Sequence, residues 1–194
     1  MTSNKCPSLL TRRPEGSVDL YLVRHAVAFR RDPDRWPHGR RRPLTPEGEE
    51  EFRLAVRGLA RIVPKVDVIL SSPFQRAWRT AEMLSELDSW PAPEPSPVLR
   101  AGRRSRRGAS PEEVTLALED YPDAKRVAVV SHKIRLRELA AYLLTGKDDG
   151  MNIRIWQGSV TCIRFDGAPA AGTGMLHWLL TPKALRFIAG QHFS

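Results

Sequence analysis

Two histidines and an arginine follow directly on predicted strands of this chain. An almost unbroken apolar segment, 18–23, leads into Arg24 and His25, and a second one, 127–130, leads through a serine into His132. Apolar runs of this length are typical of strands that are buried on both faces of a parallel sheet. Ligand sites in open α/β sheets lie just beyond the carboxyl ends of such strands. We therefore expect these three side chains at one edge of the sheet, where chemistry would be placed.

A third strand end adds a second arginine. The segment 66–70 runs through Ser72-Pro73 into a predicted helix whose first turn carries Arg76, beside backbone N–H groups that favour an anion. Arginine holds phosphate oxygens in a two-pronged fork, and a neutral imidazole can attack phosphorus. The four side chains together predict a phosphoryl site. A metal site would need carboxylate or thiolate ligands, and the arginines would repel the cation, so we predict neither a metal nor another cofactor.

Strands and helices alternate along most of the chain, which predicts an α/β fold. The expected architecture is a three-layer α/β/α sandwich with a mostly parallel central sheet and a C-terminal edge hairpin. Thr45, Ser72 and Ser110 are expected to cap the first three helices. In the last helix, Ile134 and Leu136 are expected on the face that covers the sheet. The predicted strands are 18–23, 66–70, 126–130, 159–165 and 175–180, and the predicted helices are 46–63, 73–87, 110–121 and 134–145.

The length of 194 residues allows one domain with a sizeable core. We expect this domain to span residues 17–194 and to follow a disordered arm, 1–16, which lacks the apolar centre of a signal peptide. No segment approaches the ~20 apolar residues of a membrane span. The two cysteines, Cys6 and Cys162, are too few for a disulfide framework. A cytoplasmic protein is therefore expected.

The chain is strongly basic, with a net charge of +9, and only six of its 31 basic residues are lysine. Codon usage in a GC-rich genome is the favoured explanation of this bias, and attraction to anionic substrates is the functional alternative. Two loops, 26–43 and 100–108, are rich in arginine. In the first, Arg42 is a candidate for the rim of the site and is equally well explained as a solvated side chain. We rank substrate recognition by this loop, or a plain solvated loop, above nucleic-acid binding. We interpret the second loop as a mobile surface segment, with docking of an acidic protein partner as the alternative.

Several short motifs follow one another in a set order along the chain. They are Leu22-Val23-Arg24-His25-Ala26, Arg42-Pro43-Leu44-Thr45-Pro46-Glu47-Gly48, Leu70-Ser71-Ser72-Pro73, Arg76-Ala77, Thr80-Ala81-Glu82, His132 with Glu138-Leu139, and Trp178-Leu179-Leu180-Thr181-Pro182. In this combination the chain resembles the histidine phosphatase superfamily, in its small branch of SixA-type phosphohistidine phosphatases. The resemblance covers roughly residues 18–186, and the ordered set is specific where the bare Arg-His pair is not.

The resemblance implies a phosphoglycerate mutase-like fold and a metal-independent phosphatase. It also implies that His25 is the nucleophile and that Arg24, Arg76 and His132 hold the phosphate. The expected substrate is phosphohistidine on a protein or a small phosphorylated compound, with a nucleotide or sugar phosphate ester as the alternative. A non-catalytic module that binds phosphate or nucleic acid is the alternative from another class. On chemical grounds, we expect His25 to donate its second ring N–H to a backbone carbonyl and His132 to be protonated.

The chain departs from the family pattern in two places. The stretch Val98-Leu99-Arg100 lacks the carboxylic acid that many larger members carry there, and Glu82 is a possible substitute whose place in a helix indicates a structural role first. Because imidazole is easier to expel than an alkoxide, the missing acid favours phosphohistidine as the substrate. In Ser131-His132-Lys133 the family more often has glycine before the histidine and an acid or amide after it. Lys133 is therefore expected to add positive charge at the mouth of the site and to help bind the substrate.

Overall fold

The computed structural model of the chain describes residue 14 and residues 16–101 and 109–190. Most of the predicted arm, 1–16, lies outside the described residues, and so do positions 102–108 of the second arginine-rich loop. A single domain over 17–194 is retained as a proposal. Within the described ranges, no helix combines the length and the apolar character needed to cross a membrane.

A six-stranded sheet forms the centre of the fold. Its strands are β1 (Val18–Arg24), β2 (Val68–Ser71), β3 (Pro93–Pro95), β4 (Arg126–Ser131), β5 (Val160–Phe165) and β6 (Met175–Leu180), in the spatial order β3-β2-β4-β1-β5-β6. Strands β1 to β4 are parallel, whereas β5 pairs antiparallel with β1, and β6 pairs antiparallel with β5. The predicted mostly parallel sheet with a C-terminal edge hairpin is confirmed.

Helices cover both faces of this sheet. In β1, Tyr21 and Val23 belong to one buried apolar cluster, while Leu20 and Leu22 belong to the cluster on the other face. Because both faces are covered, β1 needs apolar side chains at successive positions, which explains its nearly unbroken apolar sequence. The first face is covered by α1 (Pro46–Ile62), α2 (Gln75–Ser85) and α5 (Pro182–Ile188), and the second by α3 (Pro111–Leu116) and α4 (Lys133–Thr145).

Local signals set the ends of several helices as predicted. The hydroxyl of Thr45 accepts a hydrogen bond from the N–H of Gly48 at 3.0 Å and caps α1. Ser110 and Glu113 form a capping box at the start of α3. Gly146 ends α4 with a φ of 79°, a left-handed conformation that glycine adopts at little cost. These local contacts set where α1 and α3 begin and where α4 ends.

Three elements differ from the predictions. The strand β3 is not predicted, because prolines are rare in strands except at sheet edges, where β3 lies. The helix α5 is also not predicted, although Thr181 caps it just as Thr45 caps α1. The predicted helix 110–121 is too long, since α3 ends at Leu116 and the chain continues in i→i−3 turns as far as Tyr121.

The buried face of α4 also differs from the prediction. Ile134 is exposed, whereas Arg135 and Leu136 are buried. Residues two apart on a helix point in nearly opposite directions, so Ile134 cannot share the face of Leu136. The guanidinium of Arg135 instead pairs with Glu138 at 3.5 Å and donates to the carbonyl of Ala109.

Candidate active site

Main-chain hydrogen bonds align the ends of β1, β2 and β4 at the carboxyl edge of the sheet. The N–H of His25 donates to the carbonyl of Ser131 at 3.1 Å, and the N–H of Ser72 donates to the carbonyl of Val130 at 3.0 Å. Because the three strands are parallel, the residues that follow them meet at this edge. The side chains of His25, Ser72 and His132 are all buried there.

Arg76 joins the two imidazoles. Its Nε donates to Nε2 of His25 at 3.3 Å, and its Nη2 lies 3.0 Å from Nδ1 of His132. The ring centroids of the two histidines are 5.3 Å apart. The remaining nitrogen, Nη1, donates at 2.9 Å to the carbonyl of Gly39, in the loop 26–43. Residues from three separate strand ends therefore meet in one site.

The hydrogen bonds of His25 define its tautomer. Its Nδ1 lies 2.8 Å from the carbonyl oxygen of Ala26. A carbonyl oxygen can only accept, so Nδ1 carries the proton and donates to a backbone carbonyl, as the sequence predicts. Nε2 accepts a hydrogen bond from Arg76 and therefore carries a lone pair. This lone pair faces the guanidinium that would hold an anion.

Thr80 holds the backbone of Ala26, the residue whose carbonyl accepts from His25. Its Oγ1 accepts from the N–H of Ala26 at 3.0 Å and donates to the carbonyl of Arg76 at 2.7 Å. The side chain is fully buried, so water does not compete for these bonds. Thr80 has no role assigned from the sequence, because its partner Ala26 lies 54 residues away and no local pattern indicates the contact.

His132 is held between Arg76 and Ser72. The Oγ of Ser72 lies 2.9 Å from Nε2 of the ring. Because Nδ1 receives a hydrogen bond from Arg76, Nε2 carries the proton and donates it to Ser72. The prediction that Ser72 caps α2 is wrong, since the helix begins at Gln75 without a side-chain cap. The hydroxyl positions His132 instead, a role that the Ser72-Pro73 pattern does not indicate.

Burial and neighbouring guanidinium groups keep both rings neutral. Burial, and then the charge of Arg76, lower the pKa of His25 to about 3. The same two causes, in the same order, hold the pKa of His132 well below its usual range. Both imidazoles are therefore uncharged at neutral pH. The prediction of a protonated His132 is wrong for the site in this structure.

Arg24 is anchored by a distant part of the chain. Its Nη1 donates at 2.7 Å to the carbonyl of Ile155, which is 131 residues away in sequence. Its Nε is buried and forms no hydrogen bond with any residue that the structure describes. The charge of Arg24 contributes to the lowered pKa values of His25 and Arg76, so it acts on the same site. Arg24 is therefore a candidate anion-holding side chain, with one buried N–H group that no described residue satisfies.

A cleft of about 480 Å³ opens beside Arg76 and is lined mainly by the loop 26–43. Arg42 lines this cleft, and its Nη1 donates to the carbonyl of Phe29. Its charge contributes to the lowered pKa values of both histidines, which places Arg42 at the rim of the site. Lys133 is exposed at the first position of α4 and forms no hydrogen bond or ion pair with the described site residues. Its contribution to substrate binding stays a prediction.

No carboxylate of the described residues contacts the two histidines or Arg76. Glu82, considered above as a substitute acid, pairs with Arg79 at 3.4 Å. In residues 16–101 and 109–190, no group of three or more histidine, cysteine, aspartate or glutamate side chains is arranged to hold a metal ion. The charge around the two imidazoles is therefore positive, which suits an anion.

A doubly covered, mostly parallel sheet with two imidazoles and the guanidinium of Arg76 at its carboxyl edge defines an α/β protein with a positively charged site that suits an anion. The sequence profile of the histidine phosphatase superfamily (branch 1) matches residues 20–100, which include Arg24, His25 and Arg76. The chain belongs to this superfamily and is an enzyme of the histidine phosphatase class.

Relatives match the chain over nearly their whole length. An uncharacterized protein from Picosynechococcus sp. is 30% identical over 170 residues, which are 87% of this chain and 99% of that protein. The protein histidine phosphatase SixA, solved with tungstate, has a TM-score of 0.70 at 24% identity, covering 87% of this chain and 99% of its own. The alpha-ribazole phosphatase from Shigella flexneri has a TM-score of 0.65 at 18% identity, and the match covers 85% of this chain and 97% of that chain. The fold is therefore SixA-like.

Proposed function

We propose that this protein is a metal-independent phosphatase that transfers the phosphoryl group of its substrate to Nε2 of His25 and then to water. The observation that carries the proposal is the double contact of Arg76, with Nε2 of His25 and Nδ1 of His132. This contact joins a neutral nucleophile to an anion-binding cation in one buried site. Guanidinium groups supply the positive charge that a metal ion supplies in other phosphatases. The substrates proposed are phosphohistidine and small phosphorylated compounds.

In the first step, the lone pair of Nε2 attacks phosphorus in line and forms a P–N bond. The bond from phosphorus to the leaving group breaks, its electron pair goes to the leaving atom, and that atom takes a proton from solvent. Nδ1 of His25 keeps its proton, and the hydrogen bond to Ala26 stabilises the positive charge that develops on the ring. The product of this step is a phosphohistidine enzyme.

The arginines and His132 hold the phosphoryl oxygens during this transfer. Arg76 exchanges its hydrogen bonds with neutral ring nitrogens for charge-assisted bonds to oxygen, each contributing ~1.5–3 kcal/mol. Arg24 adds the buried N–H group that no described residue satisfies. A bound dianion also offsets the guanidinium charges that lower the pKa of His132. The protonated His132 expected from the sequence is thereby restricted to the anion-bound enzyme.

In the second step, water attacks phosphorus and the P–N bond breaks, with its electron pair returning to Nε2. The water gives one proton to solvent, inorganic phosphate leaves, and His25 regains its neutral tautomer. No carboxylate of the described residues contacts these groups to protonate a poor leaving group. Leaving groups that need no acid in the site are therefore favoured over alkoxides. Examples are a phenolate, and an imidazole whose other ring nitrogen already carries a proton from solvent.

Hydrolysis of p-nitrophenyl phosphate in the presence of EDTA tests the proposed function. We expect turnover by the wild type and a loss of at least about 10⁴-fold in His25→Ala, because the nucleophile is removed. Brief reaction followed by alkaline denaturation should leave acid-labile phosphate on the wild-type protein and none on the variant. Turnover of His25→Ala at the wild-type rate would refute the nucleophile. Binding of phosphate without turnover by the wild type would indicate a non-catalytic binding module.

A further inference from the structure

The cleft beside Arg76 carries more positive charge than one phosphoryl group can balance. Its lining includes Arg31, Arg40 and Arg42 in addition to Arg76. A phosphoryl monoester carries about two negative charges at neutral pH, which Arg24 and Arg76 already match. Three guanidinium groups of the rim therefore remain without an anionic partner from the phosphoryl group itself.

The protein does not compensate these rim charges with its own described acids. Arg31, Arg40 and Arg42 form no salt bridge with any described residue. Among the acids of the same loop, Asp32 uses its carboxylate to accept hydrogen bonds from backbone N–H groups in a turn, and it does not line the cleft. The surplus of positive charge is therefore left for a ligand.

Repulsion between these like charges is visible at the rim. After burial, the charge of Arg31 is the next cause that lowers the pKa of Arg42. The charge of Arg42 in turn is the second cause, after burial, that lowers the pKa of Arg76. Holding cations close together costs free energy, and an anion bound between them removes that cost. The arrangement thus stabilises an anionic ligand at the rim as well as at the two histidines.

The shape of the cleft suits a small molecule. Its volume of about 480 Å³ lies within the range of ~300–1,000 Å³ that is usual for small-molecule sites. The hydrogen bond from Arg76 to the carbonyl of Gly39 holds the loop 26–43 directly against the phosphoryl site. Because Arg76 lines this cleft and also contacts both histidines, the cleft adjoins the phosphoryl site.

We infer that the substrate is a small phosphorylated compound with a second anionic group, a phosphate or a carboxylate, which is bound by Arg31, Arg40 and Arg42. The inference rests on the proposed function, because it takes the phosphoryl group at His25 as the first point of attachment. Guanidinium groups bind the oxygens of phosphate and carboxylate in the same bidentate geometry, so the site defines a second anion of either kind.

Calorimetric titration of the full chain with non-hydrolysable phosphonates tests this inference without turnover. Methylphosphonate supplies one anionic group. Methylenebisphosphonate and 1,2-ethylenebisphosphonate add a second phosphonate, and phosphonoacetate and 3-phosphonopropionate add a carboxylate. We expect at least one of these four to bind about tenfold or more tightly than methylphosphonate, because charge-assisted bonds are added. If the two bisphosphonates bind more tightly, the second anion is a phosphate; if the two phosphonocarboxylates bind more tightly, it is a carboxylate.

Two variants separate the rim from general charge. In the double variant Arg31→Ala/Arg40→Ala, the preference over methylphosphonate should fall to within about twofold. In Arg57→Ala, which removes an exposed arginine of α1 outside the cleft, the preference should stay as in the wild type. This control removes one positive charge of the protein without changing the rim.

A preference below twofold for all four compounds, or one that survives in the double variant, would overturn the inference. The first of these results would leave phosphohistidine on a protein as the favoured one of the two proposed substrates. Failure of the proposed function would be recognised separately, as absence of p-nitrophenyl phosphate hydrolysis or as hydrolysis that His25→Ala does not change. The phosphonate preferences are measured independently of that result.

Discussion

Arg76 and Arg79 lie three residues apart on α2 and have opposite surroundings. Arg79 forms ion pairs with Glu49 at 3.2 Å and with Glu82 at 3.4 Å. Hydrogen bonding to Glu49 is the main cause that raises the pKa of Arg79. Burial, and then the charge of Arg42, lower the pKa of Arg76 to about 10. One helix therefore carries a compensated and an uncompensated guanidinium.

The difference shows that an arginine becomes an anion-binding group where its neighbours leave its charge unmatched. The charge of Arg79 is already balanced by carboxylates on a partly exposed surface, where such pairs contribute ~0–1 kcal/mol. Arg76 contacts two neutral ring nitrogens and a carbonyl oxygen. A phosphoryl oxygen that binds Arg76 meets no carboxylate of the described residues there. At Arg79 the same oxygen would have to compete with the carboxylates of Glu49 and Glu82.

The substitution pair Arg76→Ala and Arg79→Ala tests this comparison most strongly. Arg76→Ala should lower kcat/KM for p-nitrophenyl phosphate by about 10²–10³-fold, the usual cost of losing one donor to the transition-state charge. Arg79→Ala removes the same side chain three residues away and should leave kcat/KM within about twofold. Similar losses in both variants would show that the net charge of α2 matters and that the contacts of Arg76 with the histidines do not.

Thr80 links Arg76 to the backbone next to His25, the proposed nucleophile, and its removal should have an intermediate effect. Thr80→Val deletes the oxygen that accepts from the N–H of Ala26, so the backbone of the residue whose carbonyl orients His25 is less well fixed. We expect kcat for p-nitrophenyl phosphate to fall by about tenfold with little change in KM, because the phosphoryl-holding groups are retained. Steady-state kinetics measures this split.

Thr80→Ser is the matched control, since serine keeps the hydroxyl and removes only a methyl group. This variant should recover most of the wild-type kcat. Loss of kcat in both variants to the same extent would assign Thr80 to packing alone, and an unchanged kcat in Thr80→Val would remove it from the positioning of His25.

The smallest expected effect concerns the dependence of stability on pH. The pKa of His25 is lowered to about 3 in the folded protein, and that of His132 is also lowered, whereas an unfolded histidine titrates near ~6.5. Between these values the unfolded chain binds protons that the folded chain does not. The free energy of unfolding should therefore decrease as pH falls below ~6.5, by up to ~1.4 kcal/mol per pH unit for each ring.

Urea unfolding of the wild type and of His25→Ala between pH 4.5 and 7.5 measures this slope. The variant lacks one of the two rings, so its stability should depend less steeply on pH over that interval. If the free energy of unfolding depended on pH with the same slope in both proteins, the folded site would not lower the pKa of His25.

The comparison of elements shows why much of the fold could be predicted from sequence. Strand β1 is recognisable because burial on both faces requires apolar side chains at successive positions. The starts of α1 and α3 are recognisable because Thr45 and Ser110 bond to backbone groups within their own first turn. Thr181 caps α5 in the same way, although the helix α5 is not among the predicted elements. Signals of this kind depend only on neighbours in sequence, which is why they are visible in a single chain.

Ser72 shows where such local reasoning fails. Its Ser-Pro pair has the same pattern as Thr45-Pro46, yet its hydroxyl bonds to His132, 60 residues away, and does not cap the helix. The misplacement of Ile134 has a different origin, because residues 134 and 136 are two apart and helical spacing itself puts them on opposite faces of α4. Ser72 is therefore the position at which a long-range contact replaced the local pattern.

The sequence by itself determined the candidate site residues His25, Arg76 and His132, since each follows a strand whose end can be recognised from its own residues. Only the tertiary structure decided their chemical state. The neutral form of both imidazoles, the lone pair on Nε2 of His25 and the unmatched charge of Arg76 all depend on burial and on partners from distant segments. Protonation and charge balance follow from which groups are brought within a few ångströms, and a linear pattern does not contain those distances.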